Sequence, residues 1–167
     1  MKKTLVVYGT RPEYLKVKTL IGLSDSIDSL FVKQHTDIID FGNFDHSIQI
    51  LDSCSNRLNS IFEQVFLKAE HIISKYDNVV IQGDTATVAA ISLVAYHLKK
   101  KIFYIEAGLR SFDWENPFPE EGYRQMVSRI ATVNLCPTEL SAQNLRNEGV
   151  LGAVHTVGNT ILDTLAE

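Results

Sequence analysis

Short apolar runs alternate with longer, helix-patterned runs from one end of this chain to the other, and that alternation restricts the fold more than any other feature. A β-rich run from Thr4 to Tyr8 precedes a helical stretch from about Arg11 to Ser24. Ser29 to Gln34 reads as a second strand, and Ser47 to Leu51 as a short strand in an otherwise irregular region. Leu58, Ile61, Phe62, Val65, Ala69, Ile72, Ile73 and Tyr76 share one face of a helix from about Asn56 to Tyr76. Val79 to Ile81 and Ile102 to Ile105 are strands flanking a helix, Thr85 to Leu98, that is apolar on most sides. Pro119 to Thr132, Val133 to Cys136, Thr138 to Asn147 and Val154 to Val157 continue as helix, strand, helix and strand. Strands joined through helices need right-handed crossovers, so the pattern predicts an α/β fold. Its centre is one doubly wound parallel sheet covered on both faces.

The 167 residues make one compact domain and are too few for two ordinary ones. A domain of that size buries roughly 70% of its unfolded-chain surface and needs no disulfide or metal staple. The net charge is −4 with no dense basic cluster, which argues against a nucleic-acid surface. The cysteines are Cys54 and Cys136 alone, which fits a reducing, cytoplasmic compartment. The apolar run after Met1-Lys2-Lys3 stops at Gly9-Thr10-Arg11, too soon for a signal peptide. No stretch approaches the roughly 18 apolar residues of a membrane span. The histidines lack metal-ligand spacing, and Gly9 stands without the further glycines of a dinucleotide fingerprint, so neither metal nor nicotinamide cofactor is expected.

Ligands of doubly wound sheets bind beyond the carboxyl ends of the strands. Gly9-Thr10-Arg11-Pro12-Glu13, Gly83-Asp84-Thr85 and Glu106 fall there. Thr10 and Glu13 have the spacing of a capping box, and Pro12 suits a first helical turn. Capping leaves Arg11 unexplained, because a cation there opposes the helix dipole unless an anion binds beside it. Lys16, about a turn later, reads as solvated. Asp84 has two readings: an N-cap for Ala86 or Thr87, or a carboxylate facing ligand. Glu106 ends an apolar strand with no local partner, and is either an acid/base group or the partner of Arg110 in a buried ion pair. Glu120 and Glu121 suit the first turn of the Pro119 helix, and Arg124 fits an i,i+4 pair with Glu120. Only the company of Asp84 and Glu106 singles out Glu120.

Six motifs occur in order: Gly9-Thr10-Arg11-Pro12-Glu13, Gly83-Asp84-Thr85, Glu106-Ala107-Gly108-Leu109-Arg110, Pro119-Glu120-Glu121, Pro137-Thr138-Glu139 and Gly158-Asn159-Thr160. Together they resemble the N-terminal domain of UDP-N-acetylglucosamine 2-epimerases along the whole chain. The resemblance implies one half of a glycosyltransferase-B-like architecture, residues 1–167 forming one Rossmann-like domain whose UDP-binding companion lies in cis or in trans. It implies interconversion of UDP-N-acetylglucosamine and UDP-N-acetylmannosamine by loss and re-addition of UDP across C1–C2, without cofactor or metal. It also implies candidate catalytic carboxylates Asp84, Glu106 and Glu120, and substrate-binding Arg11, Lys16 and Arg124. Gln34-His35 resembles a motif that touches a second, activating UDP-sugar in some members, although Thr36 stands where a basic residue is expected. Gln82 stands in place of a histidine, Phe112 of a glycine and Tyr123 of an asparagine. The resemblance further implies a homodimer, no nucleic-acid or membrane partner, and an isolated domain that is inactive. A hydrolysing relative, an epimerase of a modified UDP-sugar and a non-catalytic binding or scaffold domain remain open alternatives.

Overall fold

The computed structural model describes residues 3–34 and 43–159. Its elements in chain order are β1 (Thr4–Tyr8), α1 (Arg11–Val17), β2 (Ile27–Lys33), β3 (His46–Gln49), α2 (Arg57–Ile73) and β4 (Asn78–Gln82). They continue with α3 (Ala86–His97), β5 (Lys101–Ile105), α4 (Glu120–Ile130), β6 (Val133–Cys136), α5 (Glu139–Glu148) and β7 (Ala153–Thr156). The strands form one seven-stranded sheet in the order β3-β2-β1-β4-β5-β6-β7, every neighbouring pair parallel. The predicted doubly wound, Rossmann-like sheet is therefore present.

The pleat sorts β1 between two cores. Leu5 and Val7 join the larger cluster, which unites β1–β5 with α2, α3, α4 and α5. Val6 and Tyr8 point the other way, into a smaller cluster with Val17 and Tyr14 of α1. The handedness rule explains the imbalance. Crossovers running outward from β4 to β7 place their helices on one side, and the return from β1 to β2 places α1 on the other. Among the described residues α1 alone is the helix of that second face, and Val80, Phe103, Val133 and Leu135 stay only half-buried.

Most predicted boundaries hold within two or three residues. The exception is α1, expected to reach Ser24 but ending at Val17. There Leu20 N donates to Val17 O at 2.9 Å and Ile21 N to Lys18 O at 3.1 Å, an i→i+3 tightening that closes the helix in turns. The long α2 carries the expected apolar face, and α3 is buried on nearly every side, as its uniformly apolar sequence requires. No described helix is long and apolar enough to cross a membrane. Cys136 is buried and Cys54 exposed.

Candidate active site

The carboxyl ends of β1, β4 and β5 open into a cavity of about 560 Å³. It lies where the chain, having run outward through β2 and β3, restarts on the other side of β1. Such a switch point leaves a crevice between diverging loops.

On the β1 side, Thr10 Oγ1 accepts from the Glu13 amide at 3.4 Å, and Glu13 Oε2 accepts from the amides of Gly9 (2.6 Å) and Thr10 (3.0 Å). The predicted capping box is complete. Its glutamate also does something that the sequence reading did not assign. Glu13 Oε1 accepts from Thr85 Oγ1 at 2.8 Å, which ties the β1–α1 loop to the β4–α3 loop. Glu13 is 3% exposed and lines the cavity. Burial pushes its carboxyl above the ordinary range, against the lowering effect of its hydrogen bonds with Gly9, Thr85 and Thr10. A capping-box glutamate reaches back to the N-cap amide, and here that amide lies just past the carboxyl end of β1, where the cavity opens. Arg11 is exposed in the first turn and does not line the cavity.

On the β4 side, Thr85 caps α3, its hydroxyl accepting from Val88 N at 3.4 Å. The capping reading of Asp84 is thereby replaced. Asp84 Oδ2 instead accepts from Arg124 Nε at 2.9 Å and Nη2 at 2.7 Å. Arg124 thus bridges α4 to the β4–α3 loop and does not form the predicted surface pair with Glu120. Its Nη1 lies 3.5 Å from Glu121, one turn earlier. Glu121 is fully buried and accepts from Ser111 N (3.0 Å), Phe112 N (3.3 Å) and Gln125 Nε2 (2.9 Å). Burial alone would raise its carboxyl; the hydrogen bonds from Gln125, Ser111 and Phe112, with the charge of Arg110, outweigh burial and hold it below the ordinary range. Glu120 does not line the cavity, and its Oε2 is buried without a hydrogen-bond partner among the described residues.

Glu106 sits just beyond β5 with φ +62°, in the left-handed region that costs a residue with a side chain roughly 1–2 kcal/mol. Its predicted partner Arg110 is elsewhere: fully buried, it donates Nε and Nη2 to Glu148 at 2.7 and 2.9 Å and Nη2 to Ser128 Oγ at 2.7 Å. Glu106 pairs instead with Lys16 Nζ at 2.6 Å, so the lysine is not simply solvated. Gln82 Nε2 also donates to Oε2, and Asn159 Nδ2 to Oε1 at 3.1 Å. Tyr104 completes this wall, its hydroxyl donating to Gly83 O at 2.9 Å; burial and the charge of Asp84 push its phenol far up, so it remains protonated.

The cavity therefore gathers four of the predicted site residues, Lys16, Asp84, Glu106 and Arg124, together with the unassigned Glu13, Gln82, Thr85 and Tyr104. Among the described residues its charged lining comprises three carboxylates and two cations, each cation bonded to a carboxylate. Such an arrangement suits proton transfer at a carboxylate beside an anionic group held by the cations. Gln34 is half-buried and donates to Thr87 Oγ1 at 2.8 Å. His35 and Thr36 fall outside the described residues.

A family model for UDP-N-acetylglucosamine 2-epimerase matches residues 22–167. The chain belongs to this epimerase family. The UDP-N-acetylglucosamine 2-epimerase of Salmonella borreze is 33% identical over 179 aligned residues, which cover 99% of this chain and 47% of the relative. The Neisseria meningitidis UDP-GlcNAc 2-epimerase, solved bound to UDP-GlcNAc, superposes with a TM-score of 0.89 at 31% identity, covering 98% of this chain and 48% of that one. The Methanocaldococcus jannaschii epimerase, in complex with UDP-GlcNAc and UDP, gives 0.85 at 32% identity, covering 99% and 49%. The chain spans about half the length of the curated relatives it matches. Phe112 has φ +58°, a conformation that glycine adopts without strain and a residue with a side chain does not.

Proposed function

We propose that this chain supplies one wall of the active site of a UDP-sugar 2-epimerase acting on UDP-N-acetylglucosamine. The observation that carries the reading is the cavity at the sheet's switch point, where Glu106 and Asp84 meet Lys16 and Arg124 in a chain of the epimerase family. The C2 proton of an N-acetylglucosaminyl group has no adjacent carbonyl to acidify it. Coupling its removal to departure of a diphosphate makes the step accessible, and requires a carboxylate near C2 and cations near the leaving group. In this reading Glu106 takes the proton, Asp84 and Glu120 serve as further catalytic carboxylates, and Lys16, Arg124 and Arg11 meet the UDP-sugar. A companion UDP-binding domain supplies the facing wall, so the isolated chain does not turn over. We place the enzyme in the cytoplasm as a homodimer, the exposed Phe66 and Leu67 of α2 supporting a contact through that helix.

The test is proton NMR of UDP-N-acetylglucosamine incubated in D₂O with a protein that joins this chain to its companion domain. UDP-N-acetylmannosamine carrying deuterium at C2 is the expected product, and Glu106→Gln should slow its formation by at least about 10²-fold. Release of free sugar would assign the hydrolysing reaction instead, and no reaction at all would overturn the proposal.

A further inference from the structure

An ionised carboxylate offers about four acceptor sites, two on each oxygen. At Glu106 the occupancy is unequal. Lys16 Nζ and Gln82 Nε2 both donate to Oε2, and Asn159 Nδ2 alone donates to Oε1. No other described residue bonds to the carboxylate, so one acceptor position stays open, and it is on Oε1. The remaining freedoms are restrained as well. The backbone is fixed at φ +62°, and the side chain is only 11% exposed.

We propose that Glu106 acts on its substrate through Oε1, and that Gln82 and Asn159 are positioning residues that make it do so. Gln82 completes the saturation of Oε2; its amide neither gains nor loses a proton in the working pH range, so it remains a donor throughout. Asn159 fixes the rotation of the carboxylate about its Cγ–Cδ bond. It also lies on the segment that leaves β7, so that segment is tied directly to the reacting group. The inference rests on the reading of the cavity as a 2-epimerase site. In the elimination step, the C2–H bond breaks and its proton passes to Glu106 Oε1. The electron pair left at C2 forms the C1–C2 double bond, and the C1–O bond breaks with its electron pair leaving on UDP. A carboxylate turned by some tens of degrees would present a saturated oxygen to that proton.

In the protein joined to its companion domain, Gln82→Leu and Asn159→Ala should each lower kcat about tenfold or more while KM stays within about twofold. Both should raise the primary isotope effect measured with C2-deuterated UDP-N-acetylglucosamine, because a misaligned base makes C–H cleavage more rate-limiting. Asn159→Ser, which keeps a donor at shorter reach, should recover part of the loss. A variant that is merely less well folded loses active fraction and leaves the isotope effect alone; that result would overturn the inference. The contacts have a readout without turnover. In the 167-residue chain, Glu106→Ala should shift the side-chain amide resonances of Gln82 and Asn159 together. If neither resonance moves, the positioning role fails whatever the enzyme does. If both move and the wild-type protein joined to its companion domain leaves UDP-N-acetylglucosamine unchanged, the substrate reading fails and the arrangement around Glu106 stands.

Discussion

Glu13 is a cavity carboxylate whose protonation the fold disturbs. Its carboxyl ordinarily titrates near 4.5, and burial in the folded protein raises it. Between those two values the folded protein holds a proton that the unfolded chain has released, so stability falls as pH rises through that window. Glu121 works in the opposite sense. Its folded value lies below 4.5, so its contribution is present above that pH and is lost as pH falls through the folded value. The two windows lie on opposite sides of 4.5, and measurements above it isolate Glu13. Urea unfolding at a series of pH values from 4.5 upward should show wild-type stability declining by up to about 1.4 kcal/mol per pH unit while the window lasts. Glu13→Gln, neutral at every pH, should flatten that decline. Identical slopes in the two proteins would mean that the folded chain does not retain the Glu13 proton.

The elements meet around Gly108, which the sequence offers only as part of the motif that begins at Glu106. Its φ is +85°, and a Cβ there would lie far inside contact distance of the Ser141 carbonyl on α5. Asn144, also on α5, donates to Gly108 O at 3.0 Å. The glycine therefore lets α5 pack directly on the loop that carries Glu106. Gly108→Ala should cost more than about 2 kcal/mol, since backbone cannot yield as a flexible side chain can. Gly22→Ala, at φ +92° in open space, should cost only the roughly 1–2 kcal/mol of the strained backbone. Equal losses in urea unfolding would show that α5 imposes no such constraint. This contrast also marks what was legible beforehand. Strands, helices and their order follow from local periodicity, and the α1 capping box follows from four adjacent residues. Side-chain partners do not, because the groups that hold Glu106 come from 24, 53 and 90 residues away. Spacing alone pairs Arg110 and Arg124 with near neighbours in sequence, whereas the fold gives them Glu148 and Asp84. Gln82 and Asn159 left a weaker signal, a polar side chain at or beyond the end of an apolar strand, on the edge where ligands bind.

At the scale of the whole molecule, the charge balance of the cavity limits what one wall can do alone. Its cations, Lys16 and Arg124, lie 2.6 and 2.7 Å from Glu106 and Asp84, and Glu13 adds a third carboxylate to the lining. A diphosphate entering this space meets no uncommitted cation among the described lining residues, and must compete with internal ion pairs that are already formed and only partly exposed. On the reading proposed above, most of the affinity for UDP comes from a surface facing this one; the chain itself spans about half the length of its relatives. Titration calorimetry of UDP into the 167-residue chain should accordingly give a Kd of about 1 mM or weaker. At 1 mM ligand that corresponds to about 0.4 kcal/mol of stabilisation or less, a shift of only a degree or two in Tm. Joined to a companion domain, the same chain should bind UDP at least about 100-fold more tightly, a difference of about 2.7 kcal/mol. Micromolar binding by the isolated chain would place the diphosphate site within this half.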